Sequence, residues 1–220
     1  MNKKLIVLLA VLAATMVAGW MAPGAARAAT APIPLGGGSG ILILEGGNSA
    51  SACTLTTIGH AKTGQLIGIT AGHCGQVGQK VLSESDSNRG QAGTITYSDP
   101  KTDVAIIEFN NNVVPQRTVG GVTIKSIDTR PIGFPTIACK LGRTTGKTCG
   151  VAWFSDGASH FSQMCVIEGD SGSPVVVGDR LVGMVNAYFF LGCIGPETGT
   201  NIAAVLNDVS TTKYKGFTVY

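Results

Sequence analysis

Short apolar runs separated by glycine-containing turns make up most of the chain after residue 40. Apolar runs of about four to eight residues bounded by turn residues are typical of β-strands. They predict strands at residues 41–44, 66–71, 92–97, 104–109, 122–127, 151–154, 175–177 and 181–185. Turns are predicted at residues 62–64 and 88–90, and residues 178–179 suit a compact hairpin turn.

The apolar pattern takes on a helical period near the C-terminus. Ile202, Val205, Leu206 and Val209 fall at i, i+3, i+4 and i+7, which is the spacing of one helix face. Thr200 and Asn201 precede them as N-cap residues. The pattern predicts a short amphipathic helix that docks on the later group of strands.

Length and composition favour a turn-rich β protein over a helical bundle. The chain has 220 residues, enough for one domain or two small lobes with a sizeable core. Glycine accounts for 31 residues. Charged residues make up 13% of the chain, about half the share of a typical soluble domain.

Residues 1–28 have the composition of a signal peptide. A basic start precedes an almost wholly apolar stretch, and Ala26-Arg27-Ala28 offers a small-x-small cleavage site. An uncleaved N-terminal membrane anchor is the alternative. Removing this segment takes away Lys3, Lys4 and Arg27, so 13 basic residues remain against 13 acidic ones. The net charge of +3 is therefore no reason to expect nucleic-acid binding.

Residues 29–40 are small and glycine-rich, which predicts a flexible linker before a folded domain at 41–220. This segment is too short for a folded propeptide, so the route of activation is left open. The six cysteines of an exported chain predict disulfides, because their spacings lack the C-x₂-C pairs of zinc modules. The sequence itself permits about fifteen pairings of six cysteines.

A serine set between glycines is the strongest chemical signal. Ser171 stands in Gly-Asp-Ser-Gly-Ser-Pro, on a tight turn before an apolar run. A serine hydroxyl is a weak nucleophile until a base removes its proton, so it needs a histidine and a third group that orients the histidine. His73, in Thr-Ala-Gly-His-Cys, and Asp103, before the 104–109 run, supply both in one of the known triad orders.

Each of these residues also has an ordinary structural interpretation. Ser171 alone also fits a plain turn serine, and Asp103 also fits a strand cap, in which case Asp128 is the fallback acid. His60 and His160 lack a comparable Gly-His-Cys context and fit surface or core histidines better.

Taken together, the three segments resemble the chymotrypsin-like serine peptidases, and the bacterial streptogrisin and α-lytic branch in particular. The likeness runs from about Gly46 to the C-terminus, through residues 139–146 and Cys165. It implies an all-β fold of two antiparallel Greek-key barrels, at about 41–115 and 120–220, with a short C-terminal helix. It also implies the disulfides Cys53–Cys74, Cys139–Cys149 and Cys165–Cys193.

The resemblance implies roles for the residues around the serine. His73 is expected to act as general base and then general acid, with Asp103 holding its tautomer. The backbone N–H groups of Gly169 and Ser171 are expected to form an oxyanion hole. In the related bacterial enzymes the acid before the serine pairs with a basic residue, which predicts a buried ion pair between Asp170 and Lys140.

The predicted substrate pocket departs from the family pattern. Where streptogrisins carry Ser-Gly-Gly, this chain has a longer and aromatic segment at residues 186–192. These aromatic side chains either line the substrate cleft or obstruct it. The position six before the serine holds Cys165 rather than an acid, so trypsin-like selection is not supported. The predicted pocket residues are Glu168 at the rim and Asn186, Ala187, Tyr188 and Phe189 along the wall.

The leading hypothesis is a secreted, monomeric serine endopeptidase that cleaves peptide bonds of a peptide or protein substrate through an acyl-enzyme. It is expected in the extracellular space or cell envelope, with no metal or other cofactor, no nucleic acid, and no membrane contact after signal cleavage. One alternative is a weakly active or silent member of this fold that acts as an extracellular binding module through residues 188–191. A plain structural disulfide-bonded β protein is the more distant alternative.

Overall fold

The computed structural model describes residues 31–220, so the predicted signal peptide at 1–28 lies outside the described residues. Within residues 31–220, no helix is both long enough and apolar enough to span a membrane. This part of the chain contains nineteen strands: β1 (Ile33–Gly36), β2 (Gly40–Gly46), β3 (Ser49–Thr54), β4 (Thr57–His60), β5 (Leu66–Ala71), β6 (Lys80–Ser83), β7 (Gln91–Asp99), β8 (Val104–Phe109), β9 (Val113–Gln116), β10 (Thr118–Val119), β11 (Val122–Thr123), β12 (Ser126–Ile127), β13 (Ile137–Gly142), β14 (Gly146–Ser155), β15 (Ser159–Ser162), β16 (Pro174–Val177), β17 (Arg180–Tyr188), β18 (Glu197–Asn201) and β19 (Thr218–Val219). The α-helix of this part is α1 (Ile202–Thr211), and 3₁₀ turns occupy Gly72–Cys74 and Ser87–Arg89.

The first lobe is an eight-stranded antiparallel sheet in the order β19-β4-β5-β8-β7-β6-β2-β3. Its central strand β8 is a nearly continuous apolar run because it is buried on both faces, and Val104, Ala105, Ile106 and Ile107 have no solvent exposure. The predicted strands at 66–71 and 104–109 coincide with β5 and β8. His73 follows the end of β5, and Asp103 immediately precedes β8.

The second lobe is a seven-stranded sheet in the order β12-β17-β16-β13-β14-β15-β18. An additional pairing of β17 with β18 closes six of these strands into a barrel. The hairpin turn predicted at 178–179 joins β16 to β17. The predicted all-β class with one short helix is confirmed.

Helix α1 begins and packs as the apolar spacing predicts. Asn201 is its N-cap residue, and Ile202, Val205 and Val209 are buried. These side chains belong to the same apolar cluster as the interior of the first lobe. The helix contacts β17 and β18 of the second lobe and also β8 of the first lobe. It therefore lies at the junction of the two lobes, rather than on the second barrel alone.

The predicted linker at 29–40 is wrong for its later part. Ile33 and Leu35 are buried in β1, which pairs in parallel with β9, while the intervening Pro34 is exposed. This is the period of two expected of a strand with one buried face. The glycines that follow this segment made its sequence look like a linker, so the strand was not predicted. The chain also returns at its C-terminus to the first lobe, where β19 pairs with β4, so the lobe boundary predicted at 120–220 does not hold for the last residues.

Candidate active site

His73 lies just after β5, in the 3₁₀ turn Gly72–Cys74. The disulfide Cys53–Cys74 joins this turn to β3. Gly72 is needed for the close approach of the two loops, because a Cβ at this position would lie 2.8 Å from the Asp99 carbonyl oxygen and 2.9 Å from the Val104 nitrogen. The histidine loop is therefore packed directly against the loop that carries Asp103.

Asp103 stands immediately before β8, with a left-handed backbone (φ 53°). Its Oδ1 accepts a hydrogen bond from the His73 backbone N–H at 2.7 Å. Its Oδ2 lies 2.9 Å from His73 Nδ1. An aspartate bound to both the backbone and the ring of a histidine fixes the ring orientation and favours the tautomer with a proton on Nδ1.

Ser171 lies on the turn before β16, with its Oγ 2.8 Å from His73 Nε2. The first lobe holds this turn in place. The Thr54 N–H donates to the Ser171 carbonyl at 2.8 Å, the Thr54 hydroxyl donates to the Gly169 carbonyl at 2.9 Å, and the Thr56 hydroxyl donates to the Gly172 carbonyl at 2.6 Å. The structure therefore brings together the three residues predicted as a triad.

The charges of the site favour a basic imidazole beside an ionised acid. The hydrogen bond to Asp103 raises the pKa of His73 above its usual value, against the opposing effect of burial. Burial acts to raise the pKa of Asp103, but hydrogen bonds from His73 and Asn186 outweigh it, and the net pKa is lowered. Asp103 is therefore a carboxylate at neutral pH, and His73 is a stronger base than a free imidazole.

The predicted oxyanion donors lie on the loop before Ser171. Gly169 has φ 92°, a conformation that other residues rarely adopt, and a Cβ there would lie 2.4 Å from Thr144 Oγ1. The N–H groups of Gly169 and Ser171 donate to no acceptor in the described part of the chain, whereas those of Asp170 and Gly172 bond to Ile167 and Val185. Two free amide donors thus flank the buried Asp170.

Asp170 and Lys140 are completely buried, with Lys140 Nζ 3.2 Å from Asp170 Oδ2. The Asp170 carboxylate also accepts hydrogen bonds from the backbone N–H groups of Thr144, Thr145 and Ile167 at 3.0 to 3.2 Å, and from the Thr145 hydroxyl. Burial lowers the pKa of Lys140, against the attraction of Asp170. One carboxylate therefore ties the loop before the serine to the loop at 144–145.

Asn186 has a different position from that predicted. Its Nδ2 donates to Asp103 Oδ2 and, at 3.2 Å, to the Asp103 carbonyl. Its Oδ1 accepts from the Thr200 N–H at 2.7 Å. Both polar ends of the side chain are engaged inside the protein, so Asn186 supports the acid instead of lining a pocket. The sequence carried no signal for this contact, which exists only because β17 and the Asp103 loop meet across the lobe junction.

The three aromatic side chains at 188–190 differ in exposure and in the residues that they contact. Tyr188 is half-buried and packs against the smaller apolar core of the second lobe. Phe189 is 41% exposed and stacks on Phe161 with ring centroids 6.0 Å apart, and Phe190 is 93% exposed. Glu168 and Ala187 are exposed as well.

A cleft of about 370 Å³ adjoins His73 on the first lobe and was not predicted. Among the residues that line it are His73, Gln76, Val77, Ser98, Pro100 and Asp103. Val77 is 63% exposed at its edge. Turn and strand patterns do not predict that the segments at 75–77 and 98–103 lie beside His73, so the cleft could be identified only from the structure.

The other candidate residues lie elsewhere. The fallback acid Asp128 pairs with Arg130 and Arg180. His160 is fully buried beside Glu197, where burial lowers the pKa of His160 to about 4 and raises that of Glu197 to about 8, so burial favours the uncharged form of both groups. His60 is exposed on β4.

The three disulfides join the pairs that the family resemblance implies, and residues 31–220 contain no free cysteine. In the same part of the chain, no group of three or more His, Cys, Asp or Glu side chains is arranged to hold a metal ion.

The two packed lobes have the fold of the bacterial chymotrypsin-like serine proteases. Among solved structures, Nocardiopsis protease has a TM-score of 0.67 and 24% sequence identity, covering 80% of this chain and 96% of that one. A glutamic acid-specific serine protease that uses a histidine triad in substrate binding has a TM-score of 0.68 and 23% identity, covering 84% of this chain and 100% of that one.

Among curated proteins, Serine protease 1 of Rarobacter faecitabidus is 28% identical over 159 residues, which cover 64% of this chain. The match covers 29% of that relative's length, so this chain spans less than a third of it. No protein-family model matches the chain.

Proposed function

We propose that this protein is a secreted serine endopeptidase that hydrolyses peptide bonds through an acyl-enzyme. The observation that carries the proposal is the continuous contact from Asp103 through His73 to Ser171, with 2.9 Å at one ring nitrogen and 2.8 Å at the other. A hydroxyl, an imidazole and a carboxylate within hydrogen-bonding distance of one another are the elements of an activated serine nucleophile. The fold that it shares with bacterial serine proteases supports the same function.

In the proposed reaction, Ser171 Oγ attacks the carbonyl carbon of the scissile bond while His73 Nε2 takes the hydroxyl proton. The negative charge that develops on the carbonyl oxygen is bound by the free N–H groups of Gly169 and Ser171. His73 then donates its proton to the leaving amine as the carbon–nitrogen bond breaks, which leaves the acyl-enzyme. A water molecule, deprotonated by His73, releases the acid product and restores Ser171. Asp103 stays ionised throughout.

Export fits the same proposal. Disulfides form and persist in oxidising compartments, and the folded domain has three of them, each between two of its own cysteines. The basic and apolar start of the sequence fits a signal for that export. The expected substrates are therefore proteins or peptides outside the cell or at its envelope.

The decisive experiment is to treat the folded protein with a fluorophosphonate and to map the adduct by mass spectrometry. One adduct on Ser171 is expected, and it should be lost in both Ser171→Ala and His73→Ala. Hydrolysis of a denatured protein substrate should be lost in the same variants. His60→Ala is the matched control and should retain the adduct, since His60 lies on β4 outside the site.

A folded protein that takes no adduct and hydrolyses no substrate would refute the peptidase and favour the binding module. That alternative has one specific observation behind it. Phe190, Leu191 and Ile194 are 93%, 66% and 75% exposed on one loop. Such a concentration of exposed apolar side chains is typical of an interaction surface.

A further inference from the structure

The backbone of Asp103 requires support from outside its own loop. A left-handed conformation is uncommon for residues other than glycine, and aspartate adopts it more often than most of them but still only in a minority of cases. Such conformations persist where surrounding contacts hold them. Within the first lobe, the contact that fixes the Asp103 carboxylate is the one to His73, which Asp103 itself must orient. Outside the first lobe, Asn186 binds the carboxylate and the carbonyl of Asp103, and the residue before Asp103 is bound as well.

The residue before Asp103 is bound from the second lobe at two atoms. The Thr102 hydroxyl donates to Asp208 Oδ2 of helix α1. The Thr102 carbonyl lies 3.0 Å from the Thr200 hydroxyl, at the end of β18 just before the helix. Both partners belong to the continuous segment β18-α1, so this segment forms hydrogen bonds with both the side chain and the main chain of Thr102.

Asp208 makes this contact from a helix that packs against the core. It lies one residue before the buried Val209, in the last turns of α1, whose apolar face is part of the main core. Tyr97 of β7 lies close to Asp208, and burial together with the Asp208 carboxylate raises the pKa of Tyr97. The carboxylate is thus held between β7 and the Asp103 loop.

We propose that Asp208 is a positioning residue, which holds the left-handed Asp103 in register with His73 through the Thr102 hydroxyl. This inference rests on the proposed peptidase function. Asp208 touches neither His73 nor Ser171. It acts by fixing the neighbour of the acid, so its loss should loosen the Asp103–His73 contact without altering the surface that a substrate meets.

The test uses Thr102→Val, which removes the hydroxyl but keeps the side-chain shape, and Thr102→Ser, which restores the hydroxyl. The expected result for Thr102→Val is a fall in kcat of about 10- to 100-fold with KM unchanged, because a small misplacement of a catalytic group has effects of this size. Asp208→Ala should do the same, and the double variant should lose little more, since both changes break one contact. Thr102→Ser should recover most of the rate.

A second readout does not depend on activity. The chain has three histidines, so NMR titration of isotope-labelled histidine can follow His73, identified by its loss in His73→Ala. The raised pKa of His73 should fall in Thr102→Val and in Asp208→Ala, and it should recover in Thr102→Ser. Ser210→Ala, at an exposed neighbour on the same helix, is the control and should change neither kcat nor the titration.

An unchanged kcat and an unchanged His73 titration in Thr102→Val and Asp208→Ala would overturn the inference. Lost activity with an unchanged titration would also overturn it, because the Asp103–His73 contact would then be intact in the variant. A wild-type protein that takes no fluorophosphonate would refute the peptidase, while the titration would still decide whether Asp208 positions Asp103.

Discussion

Lys140→Met isolates the role of the buried ion pair behind the predicted oxyanion loop. Methionine matches the length of the lysine chain without its charge, so the change leaves the shape of the core nearly intact. What it removes is the ammonium group that lies 3.2 Å from the Asp170 carboxylate, where neither side chain has any solvent exposure. Asp170 is then a buried charge with no opposite charge in contact.

The size of the effect follows from what is left around Asp170. Breaking a fully buried ion pair by removing one partner costs about 3–5 kcal/mol. Three backbone N–H groups and the Thr145 hydroxyl still bind the carboxylate, so we expect the lower end, about 3 kcal/mol. For a domain of this size that lowers Tm by about 6–12 °C.

The assay is thermal unfolding in a Ser171→Ala background, to prevent self-digestion, together with the rate of fluorophosphonate labelling with Ser171 intact. The labelling rate should fall, because Asp170 sits between the two predicted oxyanion donors. Lys125→Met is the control: its ammonium pairs with Asp179 on the surface, where both side chains are about half exposed, and exposed pairs contribute little. A Lys140→Met protein with the wild-type Tm and labelling rate would refute this account of the loop.

Two further predictions concern pH. The rate of Ser171 labelling should increase as pH rises through the raised pKa of His73, because only the neutral imidazole accepts the serine proton. In Asp103→Asn the maximal labelling rate should fall by about 10⁴, and the midpoint of its pH dependence should move to lower pH. A midpoint that stayed in place would contradict the His73–Asp103 coupling. Burial raises the pKa of Glu197 to about 8 from 4.5, so the folded protein keeps a proton that the unfolded chain releases, and stability falls as pH rises across that interval. Glu197→Gln in the Ser171→Ala background should therefore have a higher Tm than its parent at pH 8 and a similar one at pH 5, whereas an equal difference at both values would count against a protonated Glu197.

The sequence predicted the features that depend on short-range pattern. The strands at 66–71 and 104–109 matched because each is a run of apolar residues with turn residues on both sides. The helix matched because its apolar spacing reaches Val209 without interruption. His73 and Ser171 were found because each stands in a local motif, and the family resemblance supplied their relation to each other.

The sequence could not predict contacts made between distant elements. Asn186 was assigned to a pocket because its position beside aromatic residues indicated one, yet both ends of its side chain are engaged around Asp103 and Thr200. Nothing in the local pattern of β17 distinguishes these outcomes. The buried strand β1 was missed for the opposite reason: its alternating residues are few, and the partner that buries them, β9, lies far along the chain.

The contacts across the junction are reciprocal, and this reciprocity explains how a site divided between two lobes is held together. The first lobe carries Asp103 and His73, but Asn186 of the second lobe binds Asp103. The second lobe carries Ser171, but Thr54 of the first lobe binds the serine turn by its main chain and its side chain. Because each lobe anchors the functional loop of the other, docking of the lobes and alignment of His73 with Ser171 are a single event. Neither half of the site is expected to reach its geometry alone, and contacts at the junction are expected to affect the proposed chemistry although they touch no reacting atom.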